Sequence, residues 1–92
     1  WFSIPADGRG RSLRRSADLN REPVEDIAVT LTREQGKPVP DSRKEILFGA
    51  DVIEYYSEEG KRIKGDWITP VSTHTRSLVI RQPVGVVVAI VQ

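Results

Sequence analysis

Arg81-Gln82-Pro83-Val84-Gly85-Val86-Val87-Val88-Ala89-Ile90-Val91-Gln92 is the stretch on which the fold class turns. From Val86 to Val91 it is unbroken apolar sequence, with five of six residues β-branched, after a Pro-x-Gly break. That composition predicts a strand buried on both faces, which requires layers on either side and neighbours in a sheet. Pro83-Val84-Gly85 is too constrained to continue a central strand, so the chain is expected to redirect there, and Ser77 to Gln82 reads as a separate strand before it. On residues alone the chain is a soluble α+β segment, one flank of something larger.

Upstream of these strands the pattern is helical. Pro23 suits a first helical position, with Glu22, Glu25 and Asp26 near the positive end of the helix dipole. Val24, Ile27, Ala28 and Leu31 then form one narrow apolar face, and Gly36 followed by Lys37-Pro38 ends the helix near Gln35. Pro38-Val39-Pro40 reads as a stiff connector. Ser42-Arg43-Lys44-Glu45 has the form of a capping box and predicts a third helix to about Lys61, roughly 30 Å long. Its expected packed side is Ile46, Gly49, Ala50, Ile53 and Tyr56, widened by Leu47 and Phe48. Gly49 and Ala50 are the expected point of close backbone approach.

The first 22 residues carry the weakest pattern. Arg9, Leu13, Ala17 and Asn20 fall on one side of a possible helix, but Gly8 and Gly10 each cost about 1 kcal/mol relative to Ala in a helix interior. A helix frayed at its start is expected from about Ser12 to Glu22. Arg9, Arg11, Arg14 and Arg15 raise the question of a phosphate-contacting patch and hence a small nucleic-acid binder. No aromatic residue interleaves with them, which favours a solvated helical face.

Composition narrows the chemistry further. Ninety-two residues make at most one small domain, and 14 Lys and Arg against 13 Asp and Glu leave a formal charge of +1, so no global field favours nucleic acid or membrane. The chain has no Cys, which removes disulfides, thiolate metal sites and thiol nucleophiles. Asp51, Glu54, Glu58 and Glu59 resemble half a metal site, yet Lys61, Arg62 and Lys64 downstream favour a solvated face with cations at the helix C terminus. No metal is expected. His74, the one histidine, falls in a polar loop, Val71 to Arg76, without evident partner groups. No apolar run approaches the roughly 18 residues of a spanning helix, and no secretory pattern opens the chain. Trp1 is not an initiator residue and Met is absent, so an original N terminus is expected to be missing or removed by processing.

Three pieces, taken in register, carry a resemblance. They are Thr32-Arg33-Glu34-Gln35-Gly36-Lys37-Pro38, Tyr55-Tyr56-Ser57-Glu58-Glu59-Gly60-Lys61-Arg62-Ile63-Lys64-Gly65-Asp66, and Arg81-Gln82-Pro83-Val84-Gly85-Val86-Val87-Val88-Ala89-Ile90. Their order and spacing resemble the N-terminal part of the aldehyde dehydrogenase superfamily, and most of all its succinate-semialdehyde dehydrogenases. The resemblance implies an α/β family fragment covering residues 1–92 without a complete domain. It would consist of about three helices and two strands, the last opening a Rossmann-like sheet at whose edge a dinucleotide binds. It also implies NAD- or NADP-linked oxidation of an aldehyde to an acid by a homo-oligomeric parent, with the region near Leu78 to Arg81 contributing to an oligomerisation sheet.

The family usually continues after Ala89-Ile90 with Thr-Pro-Trp-Asn-Phe-Pro, where this chain has Val91-Gln92. Its nucleophilic Cys and general-base Glu lie farther on, so no catalytic residue carries over. Ile90 alone matches a position whose backbone approaches the cofactor. The segment by itself is therefore expected to be inactive and not to bind NAD(P). Pro5, Gly8 and Ser16 stand where the family's helices generally carry better helix formers or an apolar residue, which leaves open how well the first helix packs. The alternative reading is a non-catalytic interaction protein that associates with full-length dehydrogenase subunits through residues 77–91. Compartment is not fixed by the residues; a cytoplasmic setting is the first expectation and a mitochondrial one the alternative.

Overall fold

The computed structural model describes Trp1 and residues 3–90. Three helices, α1 (Ala6–Arg21), α2 (Val24–Gln35) and α3 (Val39–Glu59), are followed by a 3-10 turn at Gly60–Arg62 and two strands, β1 (Asp66–Ile68) and β2 (Ser77–Val79). The chain is thus α/β, with three helices and then two antiparallel strands. It divides into two units, one of Trp1 and residues 3–62 and one of residues from Ile63 onward.

In the helical unit, α1 begins six residues earlier than its composition suggests. Pro5 occupies the N-cap position rather than the helix interior, so its missing N–H removes no helical hydrogen bond. Gly10 and Ala17 are buried on the face that packs against α3. On α3 the corresponding buried residues are Ala50 and Ser57. These small side chains bring the two helices close enough that a β-carbon on Gly10 would stand 2.6 Å from the carbonyl oxygen of Ser57. The glycine that weakens α1 as an isolated helix is what lets it dock. The packing of α1, which its sequence leaves open, rests on that contact. Gly49 has no atom within 4 Å of a notional β-carbon, so the close approach is at Gly10 and Ser57 and not at Gly49.

α2 follows α1 after only Glu22-Pro23. Pro23 serves as the N-cap instead of the first helical residue. The apolar face lies as the spacing predicts, with Ala28 fully buried and Val24, Ile27 and Leu31 half-buried. Gly36 closes the helix in the left-handed conformation, φ 77°, and its N–H donates to the Thr32 carbonyl.

α3 starts at Val39, so Pro38 is its N-cap and Pro40 sits in its first turn. The Pro38-Val39-Pro40 segment is therefore the helix entrance and not a connector, because first-turn residues need no N–H partner. The capping-box reading of Ser42 falls with it. Ser42 is fully buried inside the helix, and its hydroxyl shares a 2.8 Å hydrogen bond with that of Thr32 on α2. Tyr56 is also corrected: it is 60% exposed, while Ser57, one residue on, takes the buried position and donates to the Glu54 carbonyl at 2.6 Å. Helical geometry forces this choice, since Ser57 continues the row of Ala50 and Ile53 at i+7 and i+4. Tyr55 and Tyr56 instead meet edge to face on the exposed side, centroids 5.3 Å apart. Among the described residues, every buried side-chain N or O has a hydrogen-bond partner.

The second unit is a short hairpin and an extended segment. β1 and β2 pair antiparallel, with Asp66 opposite Val79, Trp67 opposite Leu78 and Ile68 opposite Ser77. β2 stops three residues short of Gln82, the expected end of that strand. Three residues of β1 provide pairing for three of β2. A turn at Ser72–Thr75 lies between them, with the Thr75 N–H donating to the Ser72 carbonyl at 3.3 Å. Residues 86–90 form no strand, which corrects the placement of the last strand at 86–91; Val91 lies outside the described residues. A strand exists only through its ladder partner, and among the described residues none lies beside this run.

Candidate functional site

Chemistry in so short a chain must come from polar clusters, exposed apolar surface or the one carried-over contact, Ile90. The largest polar cluster lies along the α1–α3 seam. Asp7, Arg14 and Arg21 recur every seven residues on α1, so they share a face beside Gly10 and Ala17. Opposite them the carboxylates of α3 are spaced by helical turns. Arg21 Nη2 donates to Asp51 Oδ1 at 2.6 Å and to Glu54 Oε2 at 2.7 Å. Arg14 Nη2 donates to Glu58 Oε1 at 3.3 Å, and Lys61 Nζ lies 2.9 Å from Glu58 Oε2 and 3.5 Å from Asp7 Oδ1. Successive partners run in opposite directions along the two helices, which fixes them as antiparallel.

These contacts favour the charged forms of Arg21, Glu58 and Lys61. Hydrogen bonding from Lys61 keeps the Glu58 carboxyl below the ordinary carboxylate range, and Glu58 in turn raises Lys61, with Asp7 adding to the effect. The Arg21 guanidinium is raised by its bonds to Asp51 and Glu54. Across the α2–α3 contact, Arg43 donates two bonds of 2.6 Å to the Glu25 carboxylate, which lowers Glu25 and raises Arg43. A general base works best with a pKa near the operating pH. Glu25 and Glu58 are pushed the other way by their cations.

The acidic run is accordingly neutralised in two ways. Glu58 and Glu59 meet Lys61 and Arg62 at the helix end, as expected, but Asp51 and Glu54 take their cations from α1. The seven-residue spacing of Arg14 and Arg21 was the available signal for that partnership. Among the described residues no group of three or more His, Cys, Asp or Glu is placed to hold a metal ion. The arginines of α1 are likewise engaged within the chain. Arg9 donates to the Ile4 carbonyl at 2.7 Å, Arg11 pairs with Asp7, and Arg15 pairs with Glu22 at 3.2 Å. His74 is exposed, its backbone N–H donating to the Ser72 hydroxyl at 3.2 Å.

The exposed apolar surface is concentrated at the other end of the chain. Val84, Val86, Val87, Val88 and Ile90 all face solvent, Ile90 at 95% exposure. Trp67 and Leu78, paired across the hairpin, are exposed as well. Ile90 thus lies at the end of an extended apolar segment with no charged group, helix N terminus or second backbone element around it in that segment. A dinucleotide needs backbone amides and a helix dipole for its phosphates and an acceptor for its ribose. Residues 84–90 include no helix N terminus and no acidic side chain for the ribose, so they do not by themselves make up a dinucleotide site. Among the described residues no helix is long and apolar enough to cross a membrane.

The aldehyde dehydrogenase family matches residues 1–92. The mitochondrial succinate-semialdehyde dehydrogenase of Oryza sativa subsp. japonica is 44% identical over 90 residues, covering 98% of this chain and 17% of the relative. The NADP(+) succinate-semialdehyde dehydrogenase GabD of Escherichia coli is 42% identical over 90 residues, covering 98% of this chain and 19% of its own length. The crystal structure of an aldehyde dehydrogenase from Brucella melitensis biovar abortus superposes with a TM-score of 0.78 at 42% identity, over 90% of this chain and 17% of that one. The chain spans less than a fifth of the length of these relatives. The match along the whole sequence and the superposition agree, and the chain belongs to the aldehyde dehydrogenase family.

Proposed function

We propose that residues 1–92 are the N-terminal scaffold segment of an NAD(P)-dependent semialdehyde dehydrogenase, oxidising succinate semialdehyde to the acid, and that the segment is inactive by itself. The observation that carries this reading is the apolar run Val86–Ile90, exposed along its length and without a ladder partner. β-branched residues in such a run are stable where a sheet buries both faces, and a longer dehydrogenase chain supplies that sheet. The identity to two succinate-semialdehyde dehydrogenases supports the substrate class.

In the whole enzyme NAD or NADP, when bound, would supply the hydride acceptor for oxidation of the aldehyde. Residues 1–92 are assigned no step of that reaction, since they have no thiol to attack the carbonyl. Their work is positional. α1 and α2 brace α3, and the chain beyond the hairpin delivers Val86–Ile90 to the edge of the cofactor sheet, where Ile90 contributes a backbone contact. The parent is a homo-oligomer, with the β2 region joining the assembly sheet. Its setting is the cytoplasm, the mitochondrion being the alternative raised by the rice relative's name.

The test is a paired assay with succinate semialdehyde and NAD or NADP. Purified residues 1–92 are expected to form no NAD(P)H, and the longer polypeptide that contains them is expected to form it. Reproducible turnover by residues 1–92, absent from a host-protein control, would overturn the reading.

A further inference from the structure

We draw no further inference here: the strongest candidate, the exposed apolar face of α3 formed by Phe48, Val52 and Tyr55, carries nothing because nothing in the structure shows what covers it.

Discussion

Gly10 of α1 lies so close to Ser57 of α3 that a β-carbon at position 10 would stand 2.6 Å from the Ser57 carbonyl oxygen. That atom belongs to a helix backbone and cannot swing aside. Gly10→Ala is therefore expected to destabilise the protein by about 1–3 kcal/mol, as overpacking does, although Ala is ordinarily the better helix former. Gly49→Ala has open space around it and is expected to stabilise by about 0.5–1 kcal/mol. Urea unfolding of the two variants checks the pair; equal gains from both would remove the close approach from the account.

Ser42 tests where α3 begins. An N-cap serine accepts replacement by Asp, which caps equally well. A serine buried against Thr32 does not, because the new carboxylate is larger and loses its water. Ser42→Asp is expected to cost more than about 2 kcal/mol, with Ser42→Ala costing about 1 kcal/mol through the Thr32 hydroxyl it leaves without its partner. A fully tolerated Asp in chemical denaturation would restore the capping-box reading.

The Arg43–Glu25 pair makes a prediction in pH. Glu25 is held below the ordinary carboxylate range by the two bonds from Arg43, so its folded-state pKa is lower than its unfolded one. The stability it adds is present above the unfolded value of about 4.3 and is lost as pH falls through the lower folded value. Glu58, lowered by Lys61, adds to the same acid limb. An NMR titration of the Glu25 carboxyl should show the depressed midpoint, returning to the ordinary range in Arg43→Ala. An unchanged midpoint in that variant would show that Arg43 is not the cause.

Exposed β-branched residues at the end of the chain make residues 1–92 prone to self-association when separated from the parent sheet. Sedimentation of the purified segment should reveal concentration-dependent association. The double change Val86→Lys with Val88→Lys, on one face of the extended run, should suppress it. A parent segment that is monomeric and melts cooperatively would contradict this prediction.

The outline of the fold was legible because its signals are local. The face of α2 follows from the spacing of Val24, Ile27, Ala28 and Leu31, and Gly36 ends that helix where its position before Lys37-Pro38 says it should. What misled were residues whose meaning depends on a partner far along the chain. Ser42 looks like a cap until Thr32 is seen beside it, and Gly10 looks like a defect until Ser57 supplies the reason for it. β1 has only three residues, too few for an alternation that a sequence can display, whereas its partner, Ser77–Val79, overlaps the apolar run Leu78-Val79-Ile80, which can be read. The Ile90 cofactor contact rests on the family resemblance alone. Its physical surroundings are groups that residues 84–90 do not contain, and no pattern within the chain substitutes for them.

The central claim is that these residues serve a much longer dehydrogenase, and the intact mass of the natural polypeptide that contains them tests it most directly. The account predicts a mass several-fold above the 10.3 kDa of this chain, in keeping with relatives of which it spans less than a fifth. A natural product of about 10.3 kDa would contradict the scaffold assignment.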